Sequence, residues 1–167
     1  PYWQLGYEAA SNPKKNFKLG NNGAGYGAIA GNIKGGLGSA SIYVPELDIT
    51  VGAIEAVNSA GSVLIPGTKA FYAWDMELEN EFGGILPPEN FDKAIIAVPK
   101  HSSLHENTTL AVVATDANLT KSETRRLAII SQNGLSRAIR PSSTPLDGDI
   151  VFDISTGEKT IEDEGTR

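Results

Sequence analysis

Apolar positions along the chain fall into a few well-marked runs. The first, Tyr2-Trp3-Gln4-Leu5-Gly6-Tyr7-Glu8-Ala9-Ala10, has the spacing of a short amphipathic helix near residues 2 to 10. "SASIYV" (39 to 44) and "DITVGAIEAVN" (48 to 58) are β-branched and apolar, and they predict two neighbouring strands. Thr109 to Thr115 is so continuously apolar that a strand buried on both faces is expected. Thr120 and Glu123 then form a capping box that opens a helix with Leu127, Ile130, Gly134, Leu135 and Ala138 along one face. Arg137 and Arg140 suit its last turn, and Pro141 stops it. A further strand follows, with Ile150, Phe152 and Ile154 alternating. Strand, helix, strand predicts a parallel pair in which the second strand starts near the start of the first.

Between these runs the punctuation is heavy. Much of the protein's glycine lies in "GNNGAGYGAIAGNIKGGLGSAS" (20 to 41), which predicts tight turns and close backbone approach rather than helix. No Gly-Lys-Ser/Thr follows, and Gly23-x-Gly25-x-Gly27 lacks both the dinucleotide spacing and a clear preceding strand, so nucleotide binding is disfavoured. Residues 83 to 107 carry Gly-Gly, Pro-Pro and a polar cluster, and they read mostly as linker or exposed loop. The chain opens on Pro1 inside an amphipathic segment and closes on a polar run, as a segment of a longer polypeptide would.

Composition narrows the chemistry. At 167 residues and 40% hydrophobic content the chain reads as one domain or most of one. With 20 acidic against 14 dispersed basic residues, nucleic acid is not an expected partner, and no apolar run is long enough to cross a membrane. Cysteine is absent, which removes thiolate chemistry and makes the cytoplasm the expected compartment. Hydroxyl, carboxylate, amide and lysine groups remain. No cofactor is called for. His101 and His105 are four apart but sit in a Ser-rich loop after Pro99, and the full Asp-x-Asp-x-Asp-Gly calcium loop is missing, so no metal site is expected.

Three places stand out. Asn107-Thr108-Thr109 sets hydroxyls at the mouth of a core strand, where a chain can cut itself and expose an N-terminal nucleophile. The same triplet, like Asn118-Leu119-Thr120, also reads as a glycosylation acceptor. Asn58 ends a strand, as a positioned amide or as an ordinary turn asparagine. Asp147-Gly148-Asp149 offers two carboxylates on one side of an extended backbone, or simply the turn entering a strand.

Taken in order, "GNNGAGYGA", "KGGLGSAS", "VNSAG", "NTTLAVVATDANL", "RRLAIISQNGLSRAIRP" and "DGDIVFDISTG" resemble the N-terminal-nucleophile amide hydrolases. That family contains the β-aminopeptidases, the L-aminopeptidase/D-esterases and the nylon-oligomer hydrolases. The resemblance implies an α/β fold, a four-layer αββα sandwich, and self-cleavage between Asn107 and Thr108. Residues 1–107 would then be the C-terminal part of the larger subunit, and 108–167 most of the smaller. It implies Thr108 as nucleophile, Asn58 as an oxyanion-side amide, and Asp147 and Asp149 as the acids that orient Thr108 and its new amine. Asn-Thr-Thr and Asp-Gly-Asp are closest to the nylon-hydrolase branch, whose lysine falls at Asn32; Lys34 is its substitute here. A homo-oligomer, a tetramer of processed heterodimers, is the expected assembly. The implied activity is hydrolysis of linear amides, with an aminopeptidase or D-esterase as the alternative within the family. A domain that keeps the fold without catalysis is the alternative outside it.

Overall fold

The computed structural model describes residues 2–92 and 107–161. Helix α1 spans Tyr2–Ser11 and has no buried residue; its Trp3 and Tyr7 rings stack at 5.7 Å. Two short strands, β1 (Ile29–Ala30) and β2 (Ile33–Lys34), form a hairpin. A four-stranded sheet follows from β3 (Gly36–Val44), β4 (Ile49–Asn58), β5 (Thr108–Ala117) and β6 (Ile150–Lys159), in that spatial order. The first two pairings are antiparallel and β5 pairs β6 in parallel, as the strand, helix, strand pattern requires. Between β5 and β6 runs α2 (Lys121–Ala138), opened by the expected capping box: the Thr120 hydroxyl accepts from Glu123 N, and Glu123 accepts from Thr120 N. The glycine-rich stretch differs from the expectation of turns alone, because Gly36 and Gly38 already lie within β3.

Register divides the sheet into two faces. Along β5 the odd-numbered residues Thr109, Ala111, Val113, Thr115 and Ala117 are buried beneath the α2 layer. Ala111 and Val113 pack with Leu135 and Ile139 from the end of α2 and with Val151 of β6, closing the principal core. On the opposite face Leu110 is 46% exposed and Phe152 53% exposed, so β5 is not buried on both faces as its composition suggested. The described residues thus build two of the four layers of an αββα sandwich, one helix on one sheet, and leave a broad apolar sheet face open. Ile130, expected on the core face of α2, is 50% exposed for a related reason: the helix covers only the β5–β6 side of the sheet. No helix among the described residues is long and apolar enough to cross a membrane.

Carboxylates face this core layer. Asp153 of β6 lies abreast of Val113, and among the described residues both its carboxylate oxygens are buried with no hydrogen-bond partner. Burial raises its pKa above the ordinary aspartate value. A folded-state pKa above the unfolded one means the folded protein loses stability as pH rises through that window. Asp153→Asn is therefore expected to melt at a higher temperature than wild type near neutral pH. The difference should vanish as pH falls toward the unfolded aspartate pKa of about 3.9, a trend a series of thermal melts would show. Leu135 is 3% exposed at the centre of the core, and Leu135→Ala is expected to cost about 2–5 kcal/mol in denaturant titrations of the full-length protein.

Candidate active site

The first turns of β5 and β6 meet where the sequence placed its candidate chemistry. Partners across this parallel pair lie 40 positions apart, from Asn107 with Asp147 to Leu110 with Ile150. This register brings Gly148 abreast of Thr108, and Asp149 abreast of Thr109. Across the antiparallel side, Thr108 pairs with Asn58, the last residue of β4. Thr108 and Asn58 therefore occupy the same face with β-carbons about 5 Å apart, whereas Thr109 points into the core beneath α2. Among the described residues Thr109 Oγ1 is buried without a hydrogen-bond partner, so of the two hydroxyls only that of Thr108 shares a face with Asn58.

Asn107 is fully buried. Its carbonyl oxygen accepts from Gly148 N at 2.9 Å and from Thr108 Oγ1 at 2.6 Å. Its side-chain amide donates to the Leu146 carbonyl at 3.4 Å. The scissile peptide expected from the sequence is thus held on both sides of the bond, because Thr109 N donates to Asp149 Oδ1 at 2.7 Å.

The two acids act as struts between loops and strands. Asp149 Oδ2 accepts from Ser143 N at 2.9 Å, tying the loop after α2 to β5 through one carboxylate. Asp147 Oδ1 accepts from Ala60 N at 2.9 Å, and its Oδ2 accepts from Thr144 Oγ1 at 2.7 Å and Thr144 N at 3.1 Å. That carboxylate joins the turn leaving β4 to the loop entering β6. The same two segments are fastened again where Ser62 and Arg140 exchange backbone hydrogen bonds of 3.0 and 2.9 Å. Gly61 lies so close to the Pro141 carbonyl that a β-carbon there would overlap it.

On the other flank, the β1–β2 hairpin leans on the end of β4. Ile29 N donates to Asn58 Oδ1 at 3.0 Å, which commits the oxygen of that amide as an acceptor. Lys34 pairs with Ile29 across the hairpin, one step from Asn58. Asn32 sits at the hairpin tip instead, lining a cleft of about 320 Å³ with Ser62 and Leu64. Between the two residues considered for the lysine role, Lys34 is the one in register with the group that holds Asn58. Among the described residues its ammonium has no hydrogen-bond or ion-pair partner. Also among the described residues, no group of three or more acidic or histidine side chains is placed to hold a metal. His101 and His105 lie outside the described residues, as does most of the expected linker, 93–106.

Sequence reasoning named the acids and the hydroxyl but passed over Gly148, Thr144 and Ala60. Gly148 had been read only as the turn between two acids. Its signal was its spacing, 40 residues after Thr108, which becomes visible once the strands are paired.

Peptidase family S58 matches residues 3–166, nearly the entire chain. The chain belongs to that family. It is 38% identical over 167 residues to an uncharacterized aminopeptidase of Mycobacterium bovis, covering 98% of this chain and 48% of the relative. It is 43% identical over 155 residues to one of Mycobacterium leprae, covering 92% of this chain and 42% of the relative. The chain thus spans about half the length of the curated relatives it matches. Among solved structures it superposes on an L-aminopeptidase D-Ala-esterase/amidase from Ochrobactrum anthropi with a TM-score of 0.57 at 23% identity, covering 92% of this chain and 37% of that one. A β-aminopeptidase from Burkholderia sp. gives a TM-score of 0.54 at 24% identity, covering 86% and 35%. The fold is of the N-terminal-nucleophile hydrolase type, the one the Ochrobactrum structure is described as varying.

The strut role of Asp147 has a direct test. Asp147→Ala removes the acceptor for Ala60 N and both Thr144 donors, and hydrogen bonds to a charged group contribute about 1.5–3 kcal/mol each. The full-length variant is expected to lose on the order of 3 kcal/mol, with faster hydrogen exchange at the Ala60 and Thr144 amides than at core amides of β5.

Proposed function

We propose that this chain is the catalytic part of a self-processing amide hydrolase whose nucleophile is Thr108, acting on linear amides such as ω-amino acid oligomers. The observation that carries the reading is the placement of Thr108 Oγ1 against its own preceding carbonyl, 2.6 Å from Asn107 O, on the strand face shared with Asn58. Membership of a peptidase family supports the hydrolytic class.

The chemistry follows from the junction. Thr108 Oγ1 adds to the Asn107 carbonyl carbon, its proton passes to the departing Thr108 nitrogen, the carbon–nitrogen bond breaks, and an ester remains. Water hydrolyses the ester, leaving a carboxylate on Asn107 and a free hydroxyl and α-amine on Thr108. An α-amine has a pKa of about 7.7–8.0, so near neutral pH a useful fraction is unprotonated and serves as general base for its own hydroxyl. No histidine is needed. Asp149, anchored to Thr109 N, fixes the backbone that carries the new amine, and Asp147 holds the neighbouring loop in register. Asn58 serves as the oxyanion-side amide on the face of Thr108, and Lys34 stands near it as the nearby cation. A tetramer of processed heterodimers in the cytoplasm completes the reading, in keeping with the cysteine-free chain.

A second reading, removal of single N-terminal residues from peptides, is favoured by the relatives described as aminopeptidases. Product analysis on a long linear amide separates the two: internal cuts give short oligomers early, whereas end-trimming releases monomers throughout.

Thr108→Ala is expected to leave the full-length protein as one uncut, inactive chain by intact mass, whereas Thr108→Ser retains partial processing. Turnover by a purified Thr108→Ala protein would move the nucleophile elsewhere. In the wild type, kcat/KM is expected to rise with pH through an apparent value near about 8 as the amine deprotonates.

A further inference from the structure

Gly148 lies against both Asn107 and Thr108. Its N–H donates to the Asn107 carbonyl at 2.9 Å, the oxygen that Thr108 Oγ1 also reaches at 2.6 Å. A β-carbon built at 148 would stand 2.8 Å from Thr108 Oγ1, closer than real side-chain contacts allow. The ladder is also interrupted here, because Thr109 N donates to the Asp149 carboxylate where a regular parallel pair would use the Gly148 carbonyl. The scissile peptide therefore keeps a donor on its carbonyl oxygen while its far side is held by a side chain.

We infer that the Gly148 N–H is an oxyanion donor, acting first on the Asn107 carbonyl during self-cleavage and then on the substrate carbonyl in each turnover. The inference rests on the self-cleaving reading of Thr108. In the uncut chain the scissile peptide is the first substrate, and donors that touch its oxygen are already placed where negative charge develops. Once Oγ1 has added to the Asn107 carbon, that oxygen carries the charge and the 2.9 Å contact becomes charge-assisted. When the Asn107 carboxylate leaves, the N–H is left beside the regenerated hydroxyl, ready for the next carbonyl. Because a backbone amide does the work, residue 148 contributes through its missing side chain: glycine leaves the hydroxyl room to turn from the carbonyl oxygen to the carbonyl carbon.

The test replaces Gly148 by glycolic acid in the full-length protein made by cell-free suppression, which exchanges the N–H for an ester oxygen and changes little else. Self-cleavage is expected to slow by about 10²-fold, the usual cost of losing one oxyanion donor, with the thermal midpoint near that of wild type. Gly148→Ala, which keeps the N–H but crowds Oγ1, is expected to process at least 10-fold more slowly. A wild type that never cuts brings down the self-cleaving reading and this inference with it. A wild type that cuts, alongside an ester variant that cuts equally fast, overturns the donor assignment alone. Where the ester variant fails to fold, the mature wild type with an alkylboronate bound to Thr108 decides: a boronate oxygen within hydrogen-bond distance of Gly148 N supports the inference, and one turned away from it overturns it.

Discussion

The parallel pairing of β5 with β6 is the constraint on which the rest depends. It joins strands separated by an 18-residue helix, and its first contact, Gly148 N to Asn107 O, lies at the expected cleavage junction. The register that sets this contact also sets the core, because an even spacing of 40 keeps Ala111 with Val151 on the helix side. A slip of one residue would turn Val151 outward and carry Asp149 to the place now held by Gly148. Packing thus enforces site geometry: Leu135 and Ile139 can close on Ala111, Val113 and Val151 only when Thr108 stands beside Gly148.

Around that pairing, carboxylates serve where backbone partners run out. The turn leaving β4 and the loop leaving α2 present amides that no strand can satisfy, and an unpaired buried amide is costly. Asp147 takes Ala60 and Thr144; Asp149 takes Thr109 and Ser143. The carboxylates that flank Gly148 and the groups that support the two loops are, here, the same two side chains.

Much of the architecture was legible in the chain. The capping box at Thr120 and Glu123 and the alternation of Ile150, Phe152 and Ile154 follow from local rules and appear where expected. Helix α2, by contrast, ends at Ala138, before the expected last turn with Arg140, because Arg140 pairs its backbone with Ser62 instead. The parallel pair was legible because strand, helix, strand leaves little choice of topology. What could not be read was anything fixed by register across strands. The burial expected on both faces of β5 failed at Leu110, since composition reports how apolar a strand is and not what lies against it. The contacts of Asp147 with Ala60, 87 residues away, and the approach of Gly148 to Thr108 need the pairing before they can be seen. That Thr108 and Thr109 face opposite sides of β5 likewise shows in the pairing.

That parity divides labour along β5 and β6. Odd-numbered positions belong to the helix side and answer to packing, while even-numbered ones, from Thr108 and Leu110 to Ile150 and Phe152, share the open apolar face. The Thr108 hydroxyl thus lies at the margin of a greasy sheet surface, and any chain that came to rest on that surface would wall it in. Substitutions at even positions change that surface and leave the helix-side core untouched. The chemistry of the open face and the stability of the fold are therefore written on alternate residues of the same two strands.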